Sequence, residues 1–278
     1  MDGHGRIERL LKQDRLVVLV ALGAVVLVSW AYILSGAGLG MSAFEMSSLQ
    51  MAFGPADKLP GAGMAMAMPW TLGYAVLMFF MWWIMMIAMM LPSAAPTVLL
   101  YALVNRKSAA RPGGQTRPWS AGAFTGGYLA AWAAFSVIAV NLQWTLERIG
   151  LLSPMMFNTT SRVLAGIILL LAGIYQLSPL KTACLAHCRG PVQFLAQGWR
   201  PGVSGAFAMG LHHGAYCLGC CWGLMAILFF GGIMNLYWIT GLAVIVFIEK
   251  LAPAGLRFGK ILGAGLMAWG VWFLVSAL

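Results

Sequence analysis

Long apolar runs alternate with short, polar, mostly basic stretches along the whole chain. Residues 1–15 are polar and carry Arg6, Arg9, Lys12 and Arg15. At Leu16 the chain turns apolar for about 20 residues, enough for a helix to cross a hydrocarbon core of roughly 30 Å. With this run at 16–36, six more lie at 70–91, 119–140, 160–177, 202–231, 234–251 and 261–278. The pattern predicts one all-α domain over 16–278, a polytopic membrane bundle of seven transmembrane helices behind a basic N-terminal segment. Pro92 and Pro96 are expected to stop or kink the second span. Gly210, Gly214 and Gly219 leave open whether 202–231 is a continuous helix, a broken one or a re-entrant hairpin. Between the runs lie a Met-rich loop at 37–69, a basic Gly/Pro loop at 105–118, a connection at 141–160 and a polar loop at 178–201. No internal repeat stands out, which disfavours an inverted-repeat transporter.

Composition agrees with the pattern. Hydrophobic residues make up 61% and charged residues 9%, whereas a soluble domain is roughly 25% charged. Twelve Trp and seven Tyr suit aromatic belts at two membrane interfaces. The net charge of +10 does not indicate nucleic acid, because the basic residues fall in short pieces between apolar runs. Such pieces suit loops beside anionic lipid. With the N-terminus inside and the C-terminus outside, only Lys58, Arg148 and Arg162 of the 17 Lys/Arg fall on the outer side, as the positive-inside rule requires. No cleavable signal peptide is evident, and an odd count of five cysteines, three within one span, argues against a secreted disulfide framework.

Chemistry concentrates in five places. In the fifth span His213, Cys217 and Cys220 stand at i, i+4 and i+7, one helix face, with Cys221 bordering it and Met209 one turn before. Imidazole, thiolate and thioether together suit copper(I) or zinc, thioether favouring copper. The competing reading is packing, since free cysteine often behaves as a small buried hydrophobe. Cys184 and Cys188, at i and i+4 in the loop 178–201 beside His187, suit a metal clamp, a reducible dithiol or a chemically idle loop. In the second span Met85/Met89 and Met86/Met90 are i, i+4 pairs that can pass a soft cation along a helix, or serve as core filler. Met64, Met66 and Met68 alternate in the outer loop, where they suit capture of copper. Glu249 either pairs with Lys250 or serves as a metal ligand, proton acceptor or anchor for a histidine.

The segments YQLSPLKTACLAHCRGP from Tyr175, GLHHGAYCLGCCWGLM from Gly210 and the Glu249-Lys250 pair resemble a bacterial family of predicted metal-binding integral membrane proteins, domain of unknown function 2182. The resemblance covers roughly 70–278 and includes the methionine-rich second span. It implies a metal site at Cys184, Cys188, His213, Cys217, Cys220, Cys221 and Glu249, in a multi-pass protein of the bacterial inner membrane. His187, His212 and the outer-loop methionines fit the family pattern less well. The expected function is copper handling in the bilayer, with zinc or iron as alternative metals and a metal-accepting protein as partner. The alternative is a subunit of a membrane-embedded copper oxidoreductase or monooxygenase. Thiol–disulfide exchange comes third, because an apolar setting disfavours the thiolate.

Overall fold

The computed structural model describes residues 3–39, 43–44, 47, 69–109, 119–154, 158–253 and 255–277. The outer-loop methionines Met64, Met66 and Met68 lie outside the described residues. The described chain is α-helical: α1 (Gly3–Leu34), α2 (Leu72–Ala109), α3 (Ser120–Arg148), α4 (Arg162–Leu177), α5 (Pro179–Arg189), α6 (Pro191–Gly198), α7 (Gly202–Ala226), α8 (Leu228–Gly231), α9 (Leu236–Leu251) and α10 (Gly255–Val275). Five of these segments are long and apolar enough to cross a membrane, or six if α4 and α5 count as one broken span. The expected sixth span corresponds to α9, whose 16 residues rise only about 24 Å at roughly 1.5 Å each.

Several boundaries depart from the hydrophobic pattern. The first helix begins at Gly3 rather than at Leu16. The second does not stop near Leu91; it runs 38 residues, through Pro92 and Pro96, to end on Arg106 and Lys107 in its last turn. Proline in a helix frees backbone carbonyls, and nearby hydroxyls can occupy them. Pro92 and Pro96 leave the carbonyls of Ala88 and Pro92 without their amide donors; in the same stretch the Met90 carbonyl accepts from Ser93 Oγ at 2.8 Å and from Tyr128 Oη at 3.2 Å. The expected span 202–231 breaks near Ile227 into α7 and the short α8.

Glycines set how closely the helices approach. A Cβ on Gly210 of α7 would lie 2.7 Å from the carbonyl carbon of Phe124, and one on Gly127 of α3 would lie 2.8 Å from the amide nitrogen of Leu211. These backbones touch, as small residues permit at a membrane-helix crossing. Gly173 and Gly263 do the same for α4 and α10. Gly210→Ala is expected to destabilise the protein by about 2 kcal/mol through overpacking, seen as a lower unfolding temperature in detergent. An unchanged temperature would contradict backbone contact at this crossing.

Candidate metal-handling seam

Two sequence breaks position the site. At Leu177-Ser178-Pro179 the residue before proline is pushed into extended backbone, and Ser178 sits there with φ −70° and ψ 149°. Its hydroxyl caps the next helix by accepting from the Lys181 amide at 3.1 Å, with Pro179 in the first turn. The chain thereby bends 62° from α4 into α5. Gly190-Pro191 ends α5, with Gly190 at φ −110° and ψ 58° and Pro191 in the first turn of α6. What the hydrophobic pattern marks as a polar loop at 178–201 is therefore two short helices, and α5 lays Cys184 and Cys188 against α7.

The five cysteines meet along this seam. Cys184 packs on Gly219, where a Cβ would lie 2.8 Å from its sulfur. The sulfurs of Cys188 and Cys220 are 3.9 Å apart. The thiols of Cys220 and Cys221 donate to the Cys217 carbonyl at 3.0 and 2.9 Å, and Cys221 also reaches the Met90 thioether at 3.8 Å. None of the five is in a disulfide, and Cys217, Cys220 and Cys221 are buried. Among the described residues no three His, Cys, Asp or Glu side chains converge on one point. The sulfurs are strung along the seam instead. The separation of Cys188 and Cys220 is one that a single ion with metal–thiolate bonds of roughly 2.3 Å can bridge, and a pair of soft donors suits copper(I).

His213 lies one turn before Cys217 in α7, 2% exposed and packed against Phe194, Tyr128 and Phe124. Among the described residues its Nδ1 has no hydrogen-bond partner, a costly state for a buried polar atom. At the outer edge of the seam the exposed ring of His187 stacks on Tyr216 at 4.0 Å, and His212 packs on the same ring. Met85 and Met89 are buried in α2, and of the predicted methionine ladder it is Met90 that contacts a cysteine.

Glu249 faces elsewhere. Its carboxylate forms a buried ion pair with Lys181 at 2.6 Å and accepts from Gln176, which in turn accepts from Lys181 at 2.5 Å. A cavity of about 150 Å³ opens beside this network, lined in part by Gln176, Lys181, Glu249 and Lys260. Glu249 and Lys250 therefore do not pair with each other. Successive residues on a helix point roughly 100° apart. Lys250 turns to the sulfurs and donates to Cys217 Sγ at 2.8 Å and to Ser93 Oγ at 3.1 Å. Tyr128 completes the surroundings of Cys217, with its hydroxyl 3.1 Å from the sulfur.

Arg189 fixes this geometry. Its guanidinium donates to the carbonyls of Glu249 at 2.6 Å and Ala252 at 2.8 Å, closing the C-terminal end of α9, where helix carbonyls lack internal partners. The end of α5 is thus tied to the turn that carries Lys250. Hydrophobic patterning and residue spacing did not place Lys250, Lys181, Ser93 or Tyr128 in the site, Lys250 being read only as a pairing partner of Glu249. The signal available for the first two was that ionisable side chains flank or interrupt apolar runs.

A family model for PpoB2, described as copper chaperone, matches residues 79–273. No curated protein matches the chain, and no solved structure does. The match runs from α2 to α10 and contains all five cysteines, His213, Glu249 and Lys250. It supports the copper-related bacterial family suggested by the Cys/His block, although the designation as domain of unknown function 2182 is not part of it. The chain belongs to the PpoB2 copper chaperone family.

Proposed function

We propose that this protein receives copper(I) within a bacterial inner membrane, holds it between the thiols of the α5–α7 seam and passes it to a copper-accepting protein. The observation that carries this reading is the meeting of Cys188 and Cys220 from two different helices, 3.9 Å apart, in a chain of a copper chaperone family. Copper is the cargo here. A bridging pair of sulfurs favours a soft monovalent ion, and a site with few ligands can surrender its ion to a partner offering more of them. His213, Cys217, Cys221 and Met90 flank the pair along α7 and α2 and supply further donors for movement along the seam. Zinc and iron are weaker candidates for donors this soft. The oxidoreductase alternative has no supporting observation and is not carried forward.

In the arrangement we propose, the helices cross seven times with the N-terminus inside, α9 being a short span. Placement by charge needs one amendment. Lys181 and Lys250, counted above among inner-side charges, are 3% and 6% exposed and belong to the packed bundle.

The direct test is copper content after the purified, reduced protein is loaded with copper(I) in detergent and washed with a competing chelator. Retention of about one copper per chain, followed by transfer to a thiol-bearing acceptor, is the expected result. A chain that retains no copper would overturn the reading.

A further inference from the structure

Lys250 is 6% exposed, and among the described residues no carboxylate pairs with it. Its ammonium donates to the hydroxyl of Ser93 at 3.1 Å and the sulfur of Cys217 at 2.8 Å, and Tyr128 stands behind that sulfur. The adjacent carboxylate, Glu249, is committed to Lys181. A buried cation without a carboxylate partner is expensive in an apolar bundle. Arg189 nevertheless anchors the α9 terminus so that this cation stays at the seam. Cys217, whose sulfur it touches, also accepts through its carbonyl from the thiol of Cys220, one half of the close Cys188–Cys220 pair.

We propose that Lys250 is the countercharge of the copper site and sets its preference for a monovalent ion. The inference rests on the copper-handling reading and adds charge selectivity to it. When two thiols take up one copper(I), two protons leave and the resulting unit carries one net negative charge. The ammonium beside Cys217 makes the whole neutral. A divalent ion held by the same two thiolates is already neutral, so the ammonium would leave the site with a net positive charge in surroundings that penalise it. Lys250 is thus a positioning and selectivity residue, not a ligand. A hydroxyl and a sulfur hold it in place until the anionic unit forms.

The test compares copper(I) and zinc(II) affinities, each against a competing chelator, in wild-type protein, Lys250→Met, Lys250→Arg and Ser93→Asp. Lys250→Met is expected to weaken copper(I) binding about tenfold while zinc(II) binding stays level or strengthens. Lys250→Arg, which keeps the charge, is expected to stay close to wild type. Ser93→Asp gives Lys250 a fixed carboxylate and is expected to weaken copper(I) binding by a similar factor, without removing any packing at α9. Because Lys250→Met removes an unbalanced buried charge, its metal-free form should be at least as heat-stable as wild type. Unchanged copper preference in Lys250→Met, or equal loss of both metals, would overturn the proposal. Were Lys250→Met not to fold, unchanged preference in Ser93→Asp would overturn it alone. Failure of the site reading is distinct: wild-type protein would then bind no copper, whichever residue stands at 250.

Discussion

Cys188→Ser/Cys220→Ser, loaded with copper(I) beside the wild type, is expected to lose more than about a thousandfold in copper affinity. Four ligands hold structural zinc with roughly 10–16 kcal/mol, about 2.5–4 kcal/mol each if shared evenly. Losing two of them costs at least about 5 kcal/mol, and each 1.4 kcal/mol is tenfold. Serine keeps the volume and hydrogen-bonding of cysteine closely enough that the fold should survive, as a soluble, monodisperse preparation would show. Cys184→Ser is the internal control. Its sulfur packs on Gly219, while the close sulfur pair is Cys188 with Cys220, so its loss should cost less than about tenfold. Wild-type affinity in the double variant, or a larger loss in Cys184→Ser, would move the site away from the Cys188–Cys220 pair.

Glu249→Gln should be the most destabilising single substitution in the polar part of the bundle. The ion pair with Lys181 is buried, with side chains 4% and 2% exposed. Removing one member leaves an uncompensated charge worth about 3–5 kcal/mol, a fall in unfolding temperature on the order of 10 °C. Replacing both members with apolar residues of similar size, Glu249→Leu with Lys181→Met, should restore most of that loss. The double variant should also keep its copper, because the Glu249 carboxylate meets Lys181 and Gln176 rather than the thiols. Copper loss in a folded double variant would return Glu249 to the metal site. A single variant as stable as wild type would contradict the buried pair.

The run of apolar residues and the one-sided face of His213, Cys217 and Cys220 were legible without coordinates. Helical periodicity is a property of spacing, and hydropathy is a property of residue type, so both survive in a linear string. Start and stop signals were legible in principle as well. Ser178-Pro179 and Gly190-Pro191 mark the ends of α5, yet the polar character of residues 178–201 concealed two helices between them. Pro92 and Pro96 suggested an end that did not occur, since α2 runs through both; nearby, the Met90 carbonyl accepts from the hydroxyls of Ser93 and Tyr128, the second from another helix.

By itself, then, the sequence determined a helical, membrane-suited chain with its thiols in two clusters, one of them on a single helix face. Only the tertiary structure decided that the clusters meet, that Met90 rather than Met85 or Met89 contacts a cysteine, and that Glu249 and Lys250 serve different partners. Each of these depends on where helices cross and how each is rotated about its axis. Contacts between distant segments fix those quantities, among them the backbone approach of Gly210 to Phe124 and the grip of Arg189 on the end of α9. A rotation of one residue is roughly 100° on a helix, which is enough to turn a lysine from its neighbouring carboxylate to a sulfur across the bundle.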